Sequence, residues 1–318
     1  MTPEQLQNRI ADIIADNQSG STGILNSVMD LVKDYTQDQG DFRMQLLVDK
    51  LNELFIERPN FLVLFHFLNE FFLELEDKDI QRTRPEQQAS YVKDFAERYQ
   101  KKWDRNSKTI ADAFRKEIDP GRKTFLLHSN SSLIKGIFKE LSGQGIPCRI
   151  FQTLSSPAGE GKQQARVLQE AGHSVTFITE AEARKFIAEM DFFISGCDGL
   201  YKDFFVNKSG SMALALLFRH FGKKTFVAAE SRKYVDQEKI PDKLLSKLRM
   251  EPPKNPVEIW DDPPKGIKVE NYYFEEIPLN LTDGLFTEKG LTKTDKVVDL
   301  QKEFRLSALF NFDNHIQM

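Results

Sequence analysis

After Gly121 the sequence alternates between short apolar runs and stretches whose apolar residues recur at helical spacing. The apolar runs are KTFLLHS, CRIFQTL, SVTFITE, DFFISGCD and KTFVAAE, and the helical stretches between them include SLIKGIFKELSGQG, GKQQARVLQEAGH, EAEARKFIAEM and SMALALLFRHFG. Each apolar run has only the length of a strand, and strands that alternate with helices at this spacing indicate right-handed βαβ units. This part of the chain is therefore predicted to be an α/β domain with a parallel sheet covered by helices on both faces.

The chain before Gly121 has a different pattern, with apolar residues at every third or fourth position from Thr2 to about Ile118. This spacing is typical of amphipathic helices. One Phe-rich run, residues 60–75, is apolar on nearly every side and is predicted to be a buried central helix. A single long helix is predicted over residues 85–118, ended by Asp-Pro-Gly. We predict a helical N-terminal domain, residues 1–118, and a Rossmann-like ligand-binding and dimerisation domain, residues 119–318.

Composition narrows the classes of function. The 318 residues include 44 Lys and Arg against 48 Asp and Glu, so the formal charge of −4 gives no overall positive field for a nucleic acid partner. No run of about 18 apolar residues occurs, and the first residues do not have the pattern of a signal peptide, so we expect a cytoplasmic protein with no membrane partner. Only Cys148 and Cys197 are present, without the spacing of a metal site, and we expect no metal and no cofactor.

In a parallel sheet the ligand site lies beyond the carboxyl ends of the strands. Four polar loops follow predicted strands here, at residues 128–132, 153–162, 196–208 and 230–234. The carboxyl ends of parallel strands meet at one edge of the sheet, so we expect these loops to lie together.

The first loop reads His-Ser-Asn-Ser-Ser, and its candidate residues are Ser129, Asn130, Ser131 and Ser132. Short polar side chains at a strand-to-helix junction are good helix caps. The same position also suits phosphate, because the free N–H groups and the dipole of a helix start attract anions. The loop has neither a Walker pattern nor the G-x-S-x-G elbow of a serine hydrolase, so capping and anion binding remain open.

The second and third loops offer further candidates. Gly161 and Lys162 open a predicted helix and suit an anion, although a flexible loop before a capped helix is the alternative. Asp198 directly follows a predicted strand, where a carboxylate can act in acid/base chemistry, bind a sugar hydroxyl, or only form an Asp-Gly turn. Asn207 and Lys208 precede the small-residue start of another helix.

Seven segments between Gly121 and Gly290 together resemble a known superfamily. They are LLHSNSS, TLSSPAGEGKQQARVL, GHSVTFITEAEA, FFISGCDGL, FVNKSGSMALAL, FVAAESRKY and GLFTEKG. The superfamily unites the regulatory alpha, beta and delta subunits of eukaryotic initiation factor 2B with methylthioribose-1-phosphate isomerase and ribose-1,5-bisphosphate isomerase. The resemblance implies a helical N-terminal domain followed by a Rossmann-like domain, assembled as a homodimer through the C-terminal domain.

The resemblance also implies roles for particular residues. The isomerases move hydrogen between C1 and C2 of an open-chain sugar phosphate with a Cys in the first loop and an Asp in the third. The Asp is similar to Asp198, and an Asn-Lys pair that holds substrate is similar to Asn207 and Lys208. Ser129 stands in place of the Cys, and a serine hydroxyl is not a ready nucleophile without a base.

The second loop departs from the family pattern as well. Where the isomerases carry Glu-x-Arg-Pro, this chain has Leu-Ser-Ser-Pro at residues 154–157, so the phosphate-binding arginine is missing. A phosphate would then be held by backbone N–H groups, Lys162 or Lys208. Glu230 and Lys233 lie in a segment similar to the regulatory subunits, either at the rim of the ligand site or as exposed charges of an ordinary loop.

Three functions follow as hypotheses. The first is a protein similar to the initiation factor 2B subunits that binds a phosphorylated sugar or nucleotide without the isomerase chemistry. The second is a divergent aldose-ketose sugar-phosphate isomerase, an intramolecular oxidoreductase that uses Asp198. The third is a protein–protein scaffold whose Phe-rich helical domain offers a partner surface.

Overall fold

The computed structural model describes residues 1–16, 20–37, 42–77 and 79–310. Its helices are α1 Pro3–Ala15, α2 Ser21–Tyr35, α3 Met44–Glu57, α4 Leu62–Asp77, α5 Pro85–Trp103, α6 Asn106–Ile118, α7 Ser132–Gly143, α8 Gly161–Glu170, α9 Ala183–Phe186, α10 Ser211–His220 and α11 Asp242–Arg249. Its strands are β1 Thr124–Leu127, β2 Arg149–Thr153, β3 Ser174–Ile178, β4 Phe192–Ser195, β5 Gly199–Leu200, β6 Phe204–Lys208, β7 Lys224–Ala228, β8 Phe274–Pro278, β9 Gly284–Thr287 and β10 Gly290–Thr292. The predicted order, helices first and then an α/β sheet region, is confirmed.

The chain forms two compact units. The first comprises residues 1–104, residues 236–250 and the segment from residue 303 onward, and the second comprises residues 105–235 and 251–302. Helix α6 belongs to the second unit. The division into domains at residue 118 stays a prediction.

Helices dominate the first unit, and α4 supplies much of its core. The side chains of Phe65, Phe67, Phe71 and Phe72 are each at most 2% exposed. Phe310 lies among them, with its ring centroid 5.1 Å from that of Phe72. The prediction of a buried central helix over the Phe-rich run is therefore confirmed, and these four rings are core rather than surface.

The long helix predicted over residues 85–118 is wrong, because the structure divides it into α5 and α6 at Asp104 and Arg105. The residues at the break are Asp-Arg-Asn-Ser, and Asp, Asn and Ser side chains compete with the helical backbone for its hydrogen bonds. Apolar periodicity continues through the break and does not detect it. The Asn106 side chain instead donates to Glu230 Oε1 at 3.0 Å.

The second unit is built on a seven-stranded sheet in the order β10-β9-β7-β4-β1-β2-β3. All neighbours pair in parallel except β10, which pairs antiparallel with β9 at one edge. Strands β5, β6 and β8 form a separate antiparallel sheet. The chain runs outward in one direction from β1 to β3 and then in the other from β4, so the strand order reverses between β1 and β4. Ligands of such sheets bind at this switch point.

Both faces of the sheet are covered, as the sequence predicts. Phe125 and Leu127 of β1 point to one core, which also contains apolar residues of α6, α7 and α8. Leu126, between them, belongs to a second core with residues of α9 and α10. The period of two along β1 therefore divides its side chains between two helical layers.

Of the helices that the structure describes, none combines the length and the apolar character needed to cross a membrane.

Candidate functional site

The predicted loops lie together at the carboxyl ends of the strands, an edge that we call the carboxyl edge (residues 128–132, 154–161, 196–198, 207–208 and 229–233). The third predicted loop, residues 196–208, is not a simple loop, because it contains strands β5 and β6. Ser129 N donates to Ser155 Oγ at 2.7 Å, which joins the first loop to the second. Gly196 follows β4, and a Cβ atom built on it would lie 3.2 Å from the Cβ of Ser131, so the third loop adjoins the first. The Lys233 ammonium donates to the carbonyl of Cys197, which ties the fourth loop to the third.

Two serines at the carboxyl edge have left-handed backbone conformations. Ser129 has a φ of 71° and Ser155 a φ of 66°. Such values are uncommon for residues other than glycine, and residues held in this region cluster at functional sites because surrounding contacts must stabilise them. For Ser129 the contacts are the bond to Ser155 and a hydrogen bond from Gln152 Nε2 to its carbonyl at 3.2 Å.

His128 is buried behind these serines, and both of its ring nitrogens are engaged. Nε2 lies 2.9 Å from the carbonyl of Ser209, which can only accept, so Nε2 carries the proton. Nδ1 lies 2.7 Å from Thr153 Oγ1 and accepts from it. Burial lowers the pKa of His128, with the Ser209 hydrogen bond acting in the opposite direction. The neutral imidazole therefore fixes the loop before α10 to the end of β2.

Of the remaining candidates of the first loop, Ser131 caps α7 and Asn130 makes a hydrogen bond to α8. Ser131 Oγ accepts from Ile134 N at 3.3 Å, and Ser131 N donates to Gln164 Oε1 at 2.8 Å. Ser132 is exposed in the first turn of α7. Asn130 Nδ2 donates to Gln163 Oε1 at 2.6 Å, while Asn130 Oδ1 is buried without a hydrogen-bond partner. Capping is thus present, and the role of this loop toward phosphate stays a prediction.

The second loop folds back tightly on the end of β2. A Cβ atom on Gly161 would lie 1.9 Å from the carbonyl oxygen of Thr153, so only glycine fits. Gly161 N donates to the carbonyl of Leu154 at 3.2 Å and Lys162 N to that of Gly159 at 3.2 Å. These two N–H groups are engaged within the loop, and the Lys162 side chain is exposed. Phosphate binding by Gly161 and Lys162 remains a prediction.

Asp198 lies three residues after the end of β4, beside the switch point of the sheet. Its backbone N–H donates to the carbonyl of Val206 at 2.8 Å, while its half-buried carboxylate makes no hydrogen bond or ion pair within the described part of the chain. Burial raises the pKa of this carboxyl group, and the ammonium groups of Lys233 and Lys208 act in the opposite direction. An unpartnered carboxylate of this kind can bind hydroxyl groups or hold a proton.

Lys208, at the end of β6, is 1% exposed. Its ammonium lies 3.2 Å from Glu160 Oε1 and 3.9 Å from the centre of the Tyr273 ring. Neither contact has the geometry of a hydrogen bond, and the ammonium has no hydrogen-bond partner among the described residues. A buried ammonium that has one ion pair and one aromatic face, but no hydrogen bond, is costly, and such a group requires an explanation.

Asn207 supports this arrangement from the same strand. Its Nδ2 donates to Ser195 Oγ at 3.1 Å and to Ser211 Oγ at 2.8 Å. Ser211 Oγ in turn donates to the carbonyl of Lys208 at 2.6 Å. Asn207 therefore joins β4, β6 and the start of α10.

The two candidates of the fourth loop are buried and occupied. Glu230 accepts from Asn106 at 3.0 Å and pairs with Arg232 at 2.8 Å. Lys233 is 7% exposed, with its ammonium against the carbonyl of Cys197. Lys233 thus lies beside Asp198, whereas Glu230 is committed to an ion pair and an amide.

Sequence reasoning missed Glu160, Tyr273, His128 and Glu180. Glu160 Oε1 lies 3.3 Å from Ser129 Oγ as well as close to Lys208, and Glu160 Oε2 is buried without a partner. Glu180 accepts from the backbone N–H groups of Ser155 and Ser156. Glu160 could have been found from the sequence, because it directly precedes the candidate residue Gly161. Tyr273 lies 65 positions from Lys208 in the sequence, and no local pattern connects them.

Within the described ranges, no group of three or more His, Cys, Asp or Glu side chains is arranged to hold a metal ion. The chemistry available at the carboxyl edge is that of two ammonium groups, two carboxylates with unmet acceptor atoms, and serine hydroxyls.

Comparison with known proteins places this geometry in a family. Residues 17–294 match the Initiation factor 2 subunit family. A ribose 1,5-bisphosphate isomerase of Methanocaldococcus jannaschii is 30% identical over 171 residues, which cover 53% of this chain and 54% of that protein. A putative translation initiation factor eIF-2B subunit 2-like protein of Pyrococcus furiosus is 30% identical over 203 residues, which cover 63% of this chain and 68% of that protein. The match thus spans about half the length of the first relative.

Solved structures agree in fold. The 5-methylthioribose 1-phosphate isomerase of Pyrococcus horikoshii aligns with a TM-score of 0.76 at 16% identity, covering 93% of this chain and 87% of that one. The translation initiation factor eIF-2B of the same organism aligns with a TM-score of 0.70 at 21% identity, covering 92% and 98%. The expected resemblance is confirmed: the chain belongs to the Initiation factor 2 subunit family.

Proposed function

We propose that the protein binds a phosphorylated sugar or nucleotide at the carboxyl edge, in the manner of a regulatory-subunit-like member of its family, without isomerase chemistry. The observation that carries this proposal is the Lys208 ammonium, which is buried, has no hydrogen bond within the described residues and lies next to the switch point of the sheet. A phosphate oxygen would supply the missing acceptors. The open carboxylate of Asp198 would accept from a sugar hydroxyl.

The same neighbourhood argues against nucleophilic or thiol chemistry. Ser129 has no free imidazole to activate it, since both nitrogens of His128 are engaged elsewhere. Cys197 is a closed alternative: burial raises the pKa of its thiol to about 12, and Sγ donates to the carbonyl of Gly199 at 3.2 Å. A thiol in that state is not a nucleophile at neutral pH.

The experiment is titration calorimetry with ribose 1,5-bisphosphate, methylthioribose 1-phosphate, ribose 5-phosphate and adenosine monophosphate. Lys208→Met keeps the length of the side chain and removes the charge. We expect at least about tenfold weaker binding, because a hydrogen bond to a charged group contributes about 1.5–3 kcal/mol. Lys139→Met, on the exposed face of α7, is the matched control. Equal affinity of the Lys208 variant and the wild type would refute the proposal.

A second candidate function, sugar-phosphate isomerisation, is favoured by Asp198 alone. Its carboxylate is unpartnered and burial raises its pKa, so it can take up and return a proton near neutral pH more readily than an exposed aspartate. Incubation of each ligand with the protein, followed by separation of aldose and ketose phosphates, tests for turnover. Turnover that persists in Asp198→Asn would exclude this mechanism.

We also propose that two copies pair through the C-terminal region, a proposal supported by the resemblance of the chain to its family. Light scattering during size-exclusion chromatography would give twice the mass of the chain. A single-chain mass at micromolar concentration would exclude it.

A further inference from the structure

Glu160 places a carboxylate oxygen 3.2 Å from the Lys208 ammonium, where the proposed ligand binds. We infer that Glu160 sets the specificity of the pocket: it favours a ligand with one phosphate and free hydroxyl groups, and it disfavours a bisphosphate. The inference rests on the proposed function of the same site.

The carboxylate of Glu160 lies between two groups of the site. Oε1 is 3.2 Å from the Lys208 ammonium and 3.3 Å from Ser129 Oγ, which donates to it. Oε2 is buried and has no partner in the described chain. A buried carboxylate oxygen with no donor binds a hydroxyl or an N–H group of a ligand and repels a phosphate.

The turn that carries Glu160 cannot retreat from the pocket. Gly161 packs tightly against β2, because a Cβ atom built on it would lie 1.9 Å from the carbonyl oxygen of Thr153. Gly159 N donates to the carbonyl of Ser155 at 3.0 Å, on the other side of Glu160. Only rotation of the side chain could move this carboxylate, and that rotation would remove the counter-ion of Lys208.

The charges around the pocket nearly cancel. Lys208 and Lys233 supply two ammonium groups, and Glu160 and Asp198 supply two carboxylates. The unmet acceptor atoms are Glu160 Oε2, the Asp198 carboxylate and Asn130 Oδ1, and the unmet donors belong to Lys208. One phosphate can accept from the unmet donors of Lys208, whereas a second phosphate would have to lie against acceptors.

The test compares two ligands that differ by one phosphate, ribose 5-phosphate and ribose 1,5-bisphosphate, in the wild type and in Glu160→Gln. Glutamine keeps the shape and removes the charge. We expect the wild type to bind the monophosphate more tightly, and the ratio of the two dissociation constants to shift toward the bisphosphate by about tenfold or more in the variant. Glu170→Gln, at the exposed far end of α8, removes the same charge away from the site and should leave the ratio unchanged.

The outcomes separate the inference from the proposed function. If both ligands bind, Lys208→Met weakens both, and Glu160→Gln leaves the ratio as in the wild type, the inference is overturned and the proposed function stands. If neither ligand binds wild type or variant, both are overturned. Glu160→Ala serves as a second variant with the same expected direction, should the glutamine variant unfold at a lower temperature than the control.

Discussion

The amino and carboxyl ends of the parallel strands, which form two opposite edges of the seven-stranded sheet, differ in how their polar groups are paired. At the amino edge, where the parallel strands begin, residues at the starts of neighbouring strands form reciprocal hydrogen bonds. Thr124 N donates to Asp191 Oδ2 at 2.8 Å, and Asp191 N donates back to the carbonyl of Thr124 at 2.8 Å. Thr225 and Asp283 form the same reciprocal pair at 2.9 and 2.7 Å.

A histidine makes the third closure of the amino edge. Cys148 N donates to His173 Nδ1 at 3.0 Å, and His173 Nε2 donates to the carbonyl of Phe138 at 2.7 Å. At each of these three strand starts a backbone N–H group is therefore paired with a side chain.

At the amino edge Thr225 Oγ1 is buried without a hydrogen-bond partner within the described chain, and the carboxyl edge leaves more of its polar groups open. The Lys208 ammonium, Glu160 Oε2 and Asn130 Oδ1 are buried without hydrogen-bond partners within the described chain, and Ser129 and Ser155 have left-handed backbones. These features cost stability, which the Glu160 ion pair and the Tyr273 ring at Lys208 offset in part. The contrast indicates that the amino edge stabilises the sheet, and it agrees with the proposal that the carboxyl edge binds a ligand.

The largest expected effect runs against this contrast, because it is a loss of stability caused by a change at the carboxyl edge. Gly161→Ala should destabilise the protein by about 4 kcal/mol, because the new Cβ atom would meet a backbone oxygen of β2 that cannot move aside. Urea unfolding followed by circular dichroism measures it. Gly143→Ala, in α7 with nothing within 4 Å of the added atom, should leave stability unchanged or slightly raised. Equal stability of the two variants would contradict the tight turn.

An intermediate effect would sharpen the contrast at the amino edge. Asp191→Ala leaves the N–H group of the buried Thr124 without its acceptor and should cost about 1–3 kcal/mol. Asp191→Asn keeps an acceptor oxygen and should cost much less. Ligand affinity should be the same in both variants, and a change in affinity without a change in stability would reverse the assignment of the two edges.

A smaller effect has the opposite sign at the carboxyl edge. Burial raises the pKa of Asp198, so the folded state holds its proton to higher pH than the unfolded chain. Ionisation therefore lowers stability as pH rises through the unfolded pKa toward the folded pKa, and the loss is complete above the latter. Asp198→Asn should raise the unfolding temperature at pH 7 by about 2–4 °C, the shift that about 1 kcal/mol produces in a unit of this size.

The gain from Asp198→Asn should vanish below about pH 4, where the unfolded aspartate is also protonated. Thermal melts of both proteins at pH 3.5 and pH 7 supply the comparison. A destabilised variant at pH 7 would mean that the carboxylate has a stabilising partner.

The smallest expected effect is a pH dependence of stability, and it should have the same sign for one histidine at each edge. Burial lowers the pKa of both His128 and His173, so the unfolded state takes up protons first on acidification. Stability should therefore fall as pH drops below about 6.5, the unfolded value, until the folded pKa is passed. His173→Gln keeps one acceptor and one donor for Cys148 N and the Phe138 carbonyl, and should remove its share of this acid loss. Melts between pH 5 and pH 7.5 test it, and an unchanged pH dependence would refute it.

Much of the fold followed from the sequence. Apolar runs of strand length, with helical stretches between them, predicted the parallel strands β1, β2, β3, β4 and β7 and placed the polar loops at one edge. The pattern failed where it carried no information, at the break between α5 and α6, which lies inside a continuous helical period. It also placed Ser129 and Asp198 in the segments that follow β1 and β4, because position along the chain relative to a strand is a local property.

What the sequence determined by itself was therefore the order of elements and the edge of the sheet at which we propose the site. Only the tertiary structure decided which charges meet there: Glu160 beside Lys208, the Tyr273 ring over that ammonium, and Asp198 left without a partner. The physical reason is range. Periodicity reports contacts within a few residues, whereas the pairing of Lys208 with residues 48 positions before it and 65 positions after it depends on how the strands are ordered in the sheet.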